Sequence, residues 1–378
     1  MLGEQQTGRL GNRFSQGRGF ARPIEVGQAL GDTIRMGCEN AVRNCMNVRA
    51  RDRVVIITDR EREGIGQALY DQAAAITRNA KLVTMEQYGE RPFTSVPDAL
   101  LRDLTEFRPS VTFYAATAQD GEIRFRIALL DHVLRNGLRV RHAHMVGITE
   151  EMMGMGMSVD YGVIKELGDK VYEIVKGAKE IRVITAAGTD LEIRLRPKPR
   201  VERISGEVKR LGRLVWTSTD GNYHKPGIWG NLPAGEVFTC PELVNGTFVV
   251  DGVLGDYFSR KYGVLKTPVV IKIKDSFAVS VECGDKELET ELWDYLNSVE
   301  NGNRVGEVAI GINIGLTKLI GNLLQDEKFP GMHLAFGHPD PKSTGADWVS
   351  EVHIDCVILE PTILVDGRKI MENGNFLI

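Results

Sequence analysis

The chain of 378 residues contains no run of eighteen apolar residues, so it offers no membrane-spanning helix. It has no basic surplus: 47 Lys+Arg against 51 Asp+Glu leave a formal charge of −4, which argues against a dedicated nucleic-acid binder. Cysteine is sparse and odd in number: Cys38, Cys45, Cys240, Cys283 and Cys356 are scattered, with no C-x-x-C pair. That excludes a disulfide framework and predicts free thiols in a reducing, cytoplasmic setting. The opening stretch, residues 1–23, has Arg and Gly but no apolar segment, so it does not read as a secretory signal. There is no Walker loop, no G-x-S-x-G and no H-E-x-x-H. A run E-G-I-G-Q-A-L begins like a dinucleotide fingerprint, but Leu69 stands where the third glycine belongs.

What is present has the texture of a two-domain globular protein, with 42% hydrophobic residues and enough length to bury a core without staples. Residues 1–22 read as a polar, glycine-rich arm. Residues 23–178 alternate short apolar runs (53–59, 81–89, 110–117, 140–148) with segments of helical period (34–48, 64–80, 98–107, 123–136). That alternation predicts strands joined by right-handed helical crossovers, a doubly wound α/β domain. Residues 152–157, M-M-G-M-G-M, break the pattern and read as an adaptable turn. A helix over 161–178 leads to a β-rich second half, 179–378, where 180–196 reads as a hairpin. One helix, over 285–299, interrupts it with Leu288, Leu292 and Leu296 on a single stripe. The fold class is therefore α/β, with an α/β domain followed by a β-rich α+β domain.

Five ionisable residues stand among small or apolar neighbours. Glu236 sits in N-L-P-A-G-E-V-F-T-C-P, where a buried lone acid needs an ion or an arginine. Glu307 opens G-E-V-A-I-G, the position of either a ligand or a solvated strand end. His333, in M-H-L-A-F-G, is either a ligand or a satisfied core histidine. His353 and Asp355 form H-I-D and share one face of a strand. Together, three carboxylates and two imidazoles suit a mixed O/N metal site for Zn, Co, Mn or Fe. Carboxylates can also bridge two ions about 4 Å apart, as two-metal hydrolases require.

With these motifs the chain resembles the thermophilic leucyl aminopeptidases T and S, dinuclear metallopeptidases. The resemblance runs from about residue 50 onward and rests on A-G-T-D-L, N-L-P-A-G-E-V-F-T-C-P, R-V-G-E-V-A, D-E-K-x-x-G-M-H-L-A-F-G and S-E-V-H-I-D in that order. It implies metal ligands at Glu236, Glu307, His333, His353 and Asp355, with Glu236 or Glu307 partly a general base. It also implies two divalent ions, a small peptide or amide substrate, and a homodimer, in which the arm of residues 1–22 would pack on the partner. The family's tyrosine, about seven residues after the first histidine, is here Asp340. More distantly the chain is similar to 2,5-dihydroxypyridine 5,6-dioxygenase, a mononuclear iron enzyme. That enzyme keeps H-x-D but has His at the position of Glu307 and an apolar residue at that of Glu236.

Overall fold

The computed structural model describes residues 29–135, 138–195, 201–204, 207–210 and 215–378. The polar arm of residues 1–22, with its expected contact to a partner, lies outside them. The first layer is a parallel sheet in the spatial order Trp229–Asn231, Arg141–His144, Val111–Ala115, Val54–Thr58, Ala80–Thr84. Val54–Thr58 and Val111–Ala115 are buried along their whole length, as continuous apolar runs require when helices cover both faces. Helices Glu63–Ala74, Asp98–Phe107 and Ile123–Arg135 make the crossovers. Asp98–Phe107 buries Leu100, Leu104 and Phe107 at helical spacing.

Several expected boundaries shift. The first helix begins at Ala29 and runs into a π-helical turn, Asn40–Cys45. The strand expected over 81–89 ends at Thr84, because Met85–Gln87 close a 3-10 turn. The methionine segment is a short helix, Glu150–Gly154, followed by a turn, and Met152, Met153 and Met157 are fully buried core residues. The outer strand Trp229–Asn231 comes from the second half of the chain. Gly230 permits it, since a Cβ there would sit 2.3 Å from the Tyr223 ring that covers the strand.

The order of the first four strands reverses between Val54–Thr58 and Val111–Ala115, which is where doubly wound sheets usually open a ligand crevice. Here side chains fill it. Asp59 and Thr117 follow those two strands, and Arg91 reaches between them. It donates to Asp59, to Thr117 Oγ1 (3.0 Å), and to Glu122 Oε1 and Oε2 (2.9 and 2.6 Å). Both ion pairs are almost fully buried, at 3% or less exposure. Burial pushes the Asp59 carboxyl up, but hydrogen bonds from Thr117, Arg62 and Arg91 outweigh it and hold the group below its usual range. A depressed native pKa contributes stability above the unfolded value of about 3.9, lost as pH falls through the native value. We therefore expect melting temperature to fall steeply below about pH 4, and Asp59→Asn to flatten that limb. An unchanged acid limb in the variant would show that Asp59 is not its source.

Besides the two-stranded ribbon of Val201–Ile204 and Glu207–Arg210, two antiparallel sheets form the rest. The larger has the order Phe277–Cys283, Val269–Lys274, Leu243–Val250, Asp190–Arg194, Glu180–Ile184, Thr362–Val365, Arg368–Glu372, Asn375–Phe376. It alternates buried and exposed positions in Glu180–Ile184 and Asp190–Arg194, as a sheet with one wet face does. The smaller carries the five singled-out residues. One apolar cluster runs from Val54 and Phe113 to Leu334 and Cys356 and joins the sheets, and a second, with Val55, Ile57, Leu104 and Phe125, fills the other face of the parallel sheet. Among the described residues no helix is long and apolar enough to cross a membrane.

Candidate metal centre

The smaller sheet runs His353–Ile358, Gly331–Gly337, Val305–Gly311, Glu236–Thr239, Thr217–Thr219, all antiparallel. Its register brings the five residues to one face. Glu307 and Asp355 both lie opposite Ala335. His333 is two residues from Ala335, and His353 two from Asp355, so both point the same way. Glu236 lies opposite Gly311, four residues from Glu307, again on that face. The positions between them, Ala309, Gly311, Ala335 and Gly337, are small and leave room above the sheet. The other face carries Val308, Ile310, Leu334, Phe336, Ile354 and Cys356 into the core. Glu307 is thus not a solvated strand end. It is 7% exposed within a strand buried at all seven positions.

Three carboxylates converge on one imidazole nitrogen. His333 Nε2 is 3.4 Å from Glu307 Oε1, 3.6 Å from Asp355 Oδ1 and 3.7 Å from Glu236 Oε2. Ligand atoms of Glu236, Glu307 and His333 all lie within 4.8 Å of one another. These separations are long for hydrogen bonds. They are close to the spacing of about 3.3 Å between donors placed tetrahedrally at about 2.0–2.1 Å from a common ion. Both ring nitrogens of His333 are buried without a hydrogen-bond partner. An orphaned buried nitrogen is costly, and a metal ion at the point of convergence would satisfy it. The donor set therefore fits a divalent cation.

His353 stands at the rim, with its side chain 37% exposed. Its Nδ1 lies 2.8 Å from the His338 carbonyl oxygen. A carbonyl only accepts, so Nδ1 donates, and Nε2 faces Asp355 Oδ1 at 3.3 Å. Asp355 Oδ1 is thereby shared between the two imidazoles. The structure brings all five residues onto this face, with Glu236, Glu307 and His333 in the tighter group. Because the His338 contact is through backbone, His338→Ala should cost little metal affinity, whereas His353→Ala should cost at least about 100-fold. Equal metal content in the two variants, measured by plasma mass spectrometry, would contradict that assignment.

Two further residues carry charge into the site. Lys328 is 1% exposed and donates to Glu236 Oε1 at 2.6 Å and to Glu327. Thr219 Oγ1 donates to the same Glu236 oxygen at 3.1 Å, leaving Oε2 for the cluster. Gly311 lets the loop bearing Lys328 lie this low, since a Cβ there would meet the Phe329 carbonyl at 2.0 Å. The only sequence hint of this pair was D-E-K in a motif noted for its histidine. A buried Lys328 within reach of two acids becomes legible once the loop has folded over the sheet.

The electrostatics favour positive charge at the convergence. Burial alone would lower the His333 pKa, but Glu307, Asp355 and Glu236 raise it to about 9. Desolvation also works against charged His353, yet Asp355 and Glu307 raise it to about 10. Asp355 is pushed up by burial but held well below its usual range by His353 and His333. Glu307 is raised, chiefly by burial. Glu327 is lifted to about 8, again chiefly by burial, with Lys328 opposing. Lys328 resists the burial that would lower it, because Glu236 and Glu327 hold it charged. The Glu327 side also borders a chamber of about 180 Å³. Ala118, Val146 and Gly147, beyond the C-terminal ends of the parallel strands, form one wall, and Arg260, Asn322 and Leu324 form part of the other.

A parallel α/β layer joined to an antiparallel sheet that bears a buried acid–imidazole cluster is the architecture of a metal-dependent enzyme. The chain belongs to the NicX family, described as 2,5-dihydroxypyridine 5,6-dioxygenase, whose model matches residues 36–314. The match takes in Glu236 and Glu307 and ends before His333, His353 and Asp355. The fold is shared with 2,5-dihydroxypyridine dioxygenase from Pseudomonas putida KT2440. That structure has a TM-score of 0.64 at 15% identity, over 94% of this chain and 98% of the other. It is likewise shared with wild-type AmpT from Thermus thermophilus, with a TM-score of 0.63 at 17% identity, over 93% and 100%. No curated protein sequence matches the chain.

Proposed function

We propose that the protein is a metal-dependent hydrolase that cleaves an amide bond of a small substrate, with Glu236, Glu307, His333, His353 and Asp355 as ligands. The convergence of three carboxylates on the orphaned His333 nitrogen carries this reading, because so many acids in one place suit a dication or a bridged pair of dications. Zinc, cobalt or manganese fits such donors. The ion, when bound, supplies Lewis acidity toward a carbonyl and a more acidic water. Glu236 is held by Lys328 and Thr219 through one oxygen, so its role is to orient and bind. Glu327, buried between Lys328 and the chamber, is placed to take a proton at its carboxylate and return it to a leaving amine. The chamber would admit one side chain or ring. Asp340 stands where the resembling peptidases have a tyrosine, so no phenol assists from that position. Partner and compartment follow as parts of the same proposal: a small peptide or amide as substrate, a homodimer, and a reducing cytoplasm that suits five free cysteines.

The family match favours a second reading better than this one: a mononuclear iron dioxygenase that opens an aromatic ring. His353 and Asp355 correspond to that enzyme's H-x-D; Glu307 stands where it has its other histidine, so His333 would have to supply the second imidazole, with Asp355 Oδ1 within 3.6 Å of both rings. Three measurements separate the readings. Protein purified without added metal is assayed for metal content, and then for amine release from leucine p-nitroanilide and for oxygen uptake with 2,5-dihydroxypyridine. Amine release with redox-inert metal supports the hydrolase. One iron per chain with oxygen uptake replaces it by the dioxygenase.

A further inference from the structure

At the opposite end of the parallel sheet from the Glu327 chamber lies a cleft of about 510 Å³. Five arginines line it: Arg49, Arg51, Arg108, Arg139 and Arg141. The one acid in the lining, Asp52, is already committed. It accepts from Arg141 Nη2 at 2.7 Å, from Ser110 Oγ at 2.8 Å and from the Arg49 backbone at 2.7 Å. Arg141 also donates to the carbonyls of Met46 and Asn47, at 2.8 and 3.0 Å, so this pair forms a rigid floor. Among the described residues no carboxylate pairs with the guanidinium groups of Arg49, Arg51, Arg108 or Arg139. These four exposed cations line one cleft in a chain whose net charge is −4, and an anion bound among them would offset their mutual repulsion.

The backbone adds a second observation. Arg108 and Arg139 hold left-handed conformations, with φ of +50° and +48°. Glycine or asparagine takes such positions at lower cost, and strain of this kind tends to gather at sites that bind. Arg108 caps helix Asp98–Phe107, and Arg139 precedes strand Arg141–His144. Arg108 thus lies at a helix end and Arg139 in the coil before a strand, both at the cleft rim.

We propose that this cleft binds a small molecule carrying two or more phosphate groups. Guanidinium forks match phosphate oxygens two at a time, and four free forks need more than one phosphate to engage them. The volume falls within the range of about 300–1,000 Å³ usual for small-molecule pockets. The acidic net charge of the chain disfavours a nucleic-acid polymer. The site is separate from the metal centre and does not depend on the reaction assigned there.

Calorimetry on the full-length, metal-loaded protein tests this with two probes, ADP and fructose 1,6-bisphosphate, and adenosine and fructose as uncharged controls. Both phosphorylated probes should bind saturably and the controls should not. The variant R108N/R139N removes two charges with a residue that accepts the left-handed backbone, so its melting temperature should hold or rise. Its affinity for both probes should fall at least tenfold, while E307Q binds them as the parent does. Absence of saturable binding, an unchanged affinity in R108N/R139N, or loss of binding in E307Q would overturn the proposal. So would tighter binding of a single-stranded RNA dodecamer through the same arginines, which would make the cleft a polymer site.

Discussion

Glu307→Gln should weaken metal binding by more than about 100-fold, since even the outer partners of metal ligands are worth 10–100-fold, and should abolish turnover. The same variant should melt higher than the parent when both are stripped of metal. Glu307 is buried beside Glu236 and Asp355, and burial raises its pKa. An amide of equal shape carries no charge to desolvate and repels neither neighbour, which outweighs the attraction to His333 and His353 that it gives up, since the net shift at Glu307 is upward. Opposite signs in the two measurements are what a ligand retained against the interest of the apo fold would produce. A lower melting temperature with unchanged metal content would instead mark Glu307 as a structural acid, and would remove the centre on which the proposed hydrolysis rests.

Arg91→Met should cost about 3–5 kcal/mol, the usual penalty for stripping one partner from a buried ion pair. Two acids would be left behind it, Asp59 at 1% and Glu122 at 0% side-chain exposure. Neither has water to turn to, and Glu122 also holds the Phe93 amide at 3.0 Å. Adding D59N and E122Q to R91M should recover part of the loss, because the charges, and not the volume of the guanidinium, create the penalty. Denaturant unfolding of the single and triple variants measures both. If the triple variant is no more stable than the single, the network's role is packing, and the electrostatic account of the closed crevice fails.

Much of the centre could be read from residues alone, and for a definite reason. A strand turns alternate side chains to one face, so H-I-D puts His353 and Asp355 together without reference to anything else. An acid or imidazole in an otherwise apolar strand must find a partner wherever the strand goes. That logic reached Glu236, Glu307 and His333, though it left Glu307 open as a solvated strand end. Leu69 in place of a third glycine argued against a dinucleotide crevice, and the crevice is filled by Arg91. Glu327 and Lys328 gave no such signal. Charged residues beside each other before a strand are ordinary surface composition, and their burial depends on Gly311 admitting the loop.

Local chemistry along the chain determined the alternation of strands and helices, the apolar faces that make the core, and which ionisable residues needed an explanation. These follow from periods of 2 and 3.6 and from the cost of burying charge, both of which act within a few residues. Tertiary structure alone decided what meets what. Register placed Glu307 and Asp355 on either side of Ala335, Arg91 closed the switch point from 32 residues away, and Trp229–Asn231 crossed from the second half of the chain to the edge of the first sheet. Five arginines from separate loops and strand ends came to surround one cleft. Such contacts join residues far apart in the chain, and no local pattern encodes them, because the energy that selects them exists only once both partners have left water together.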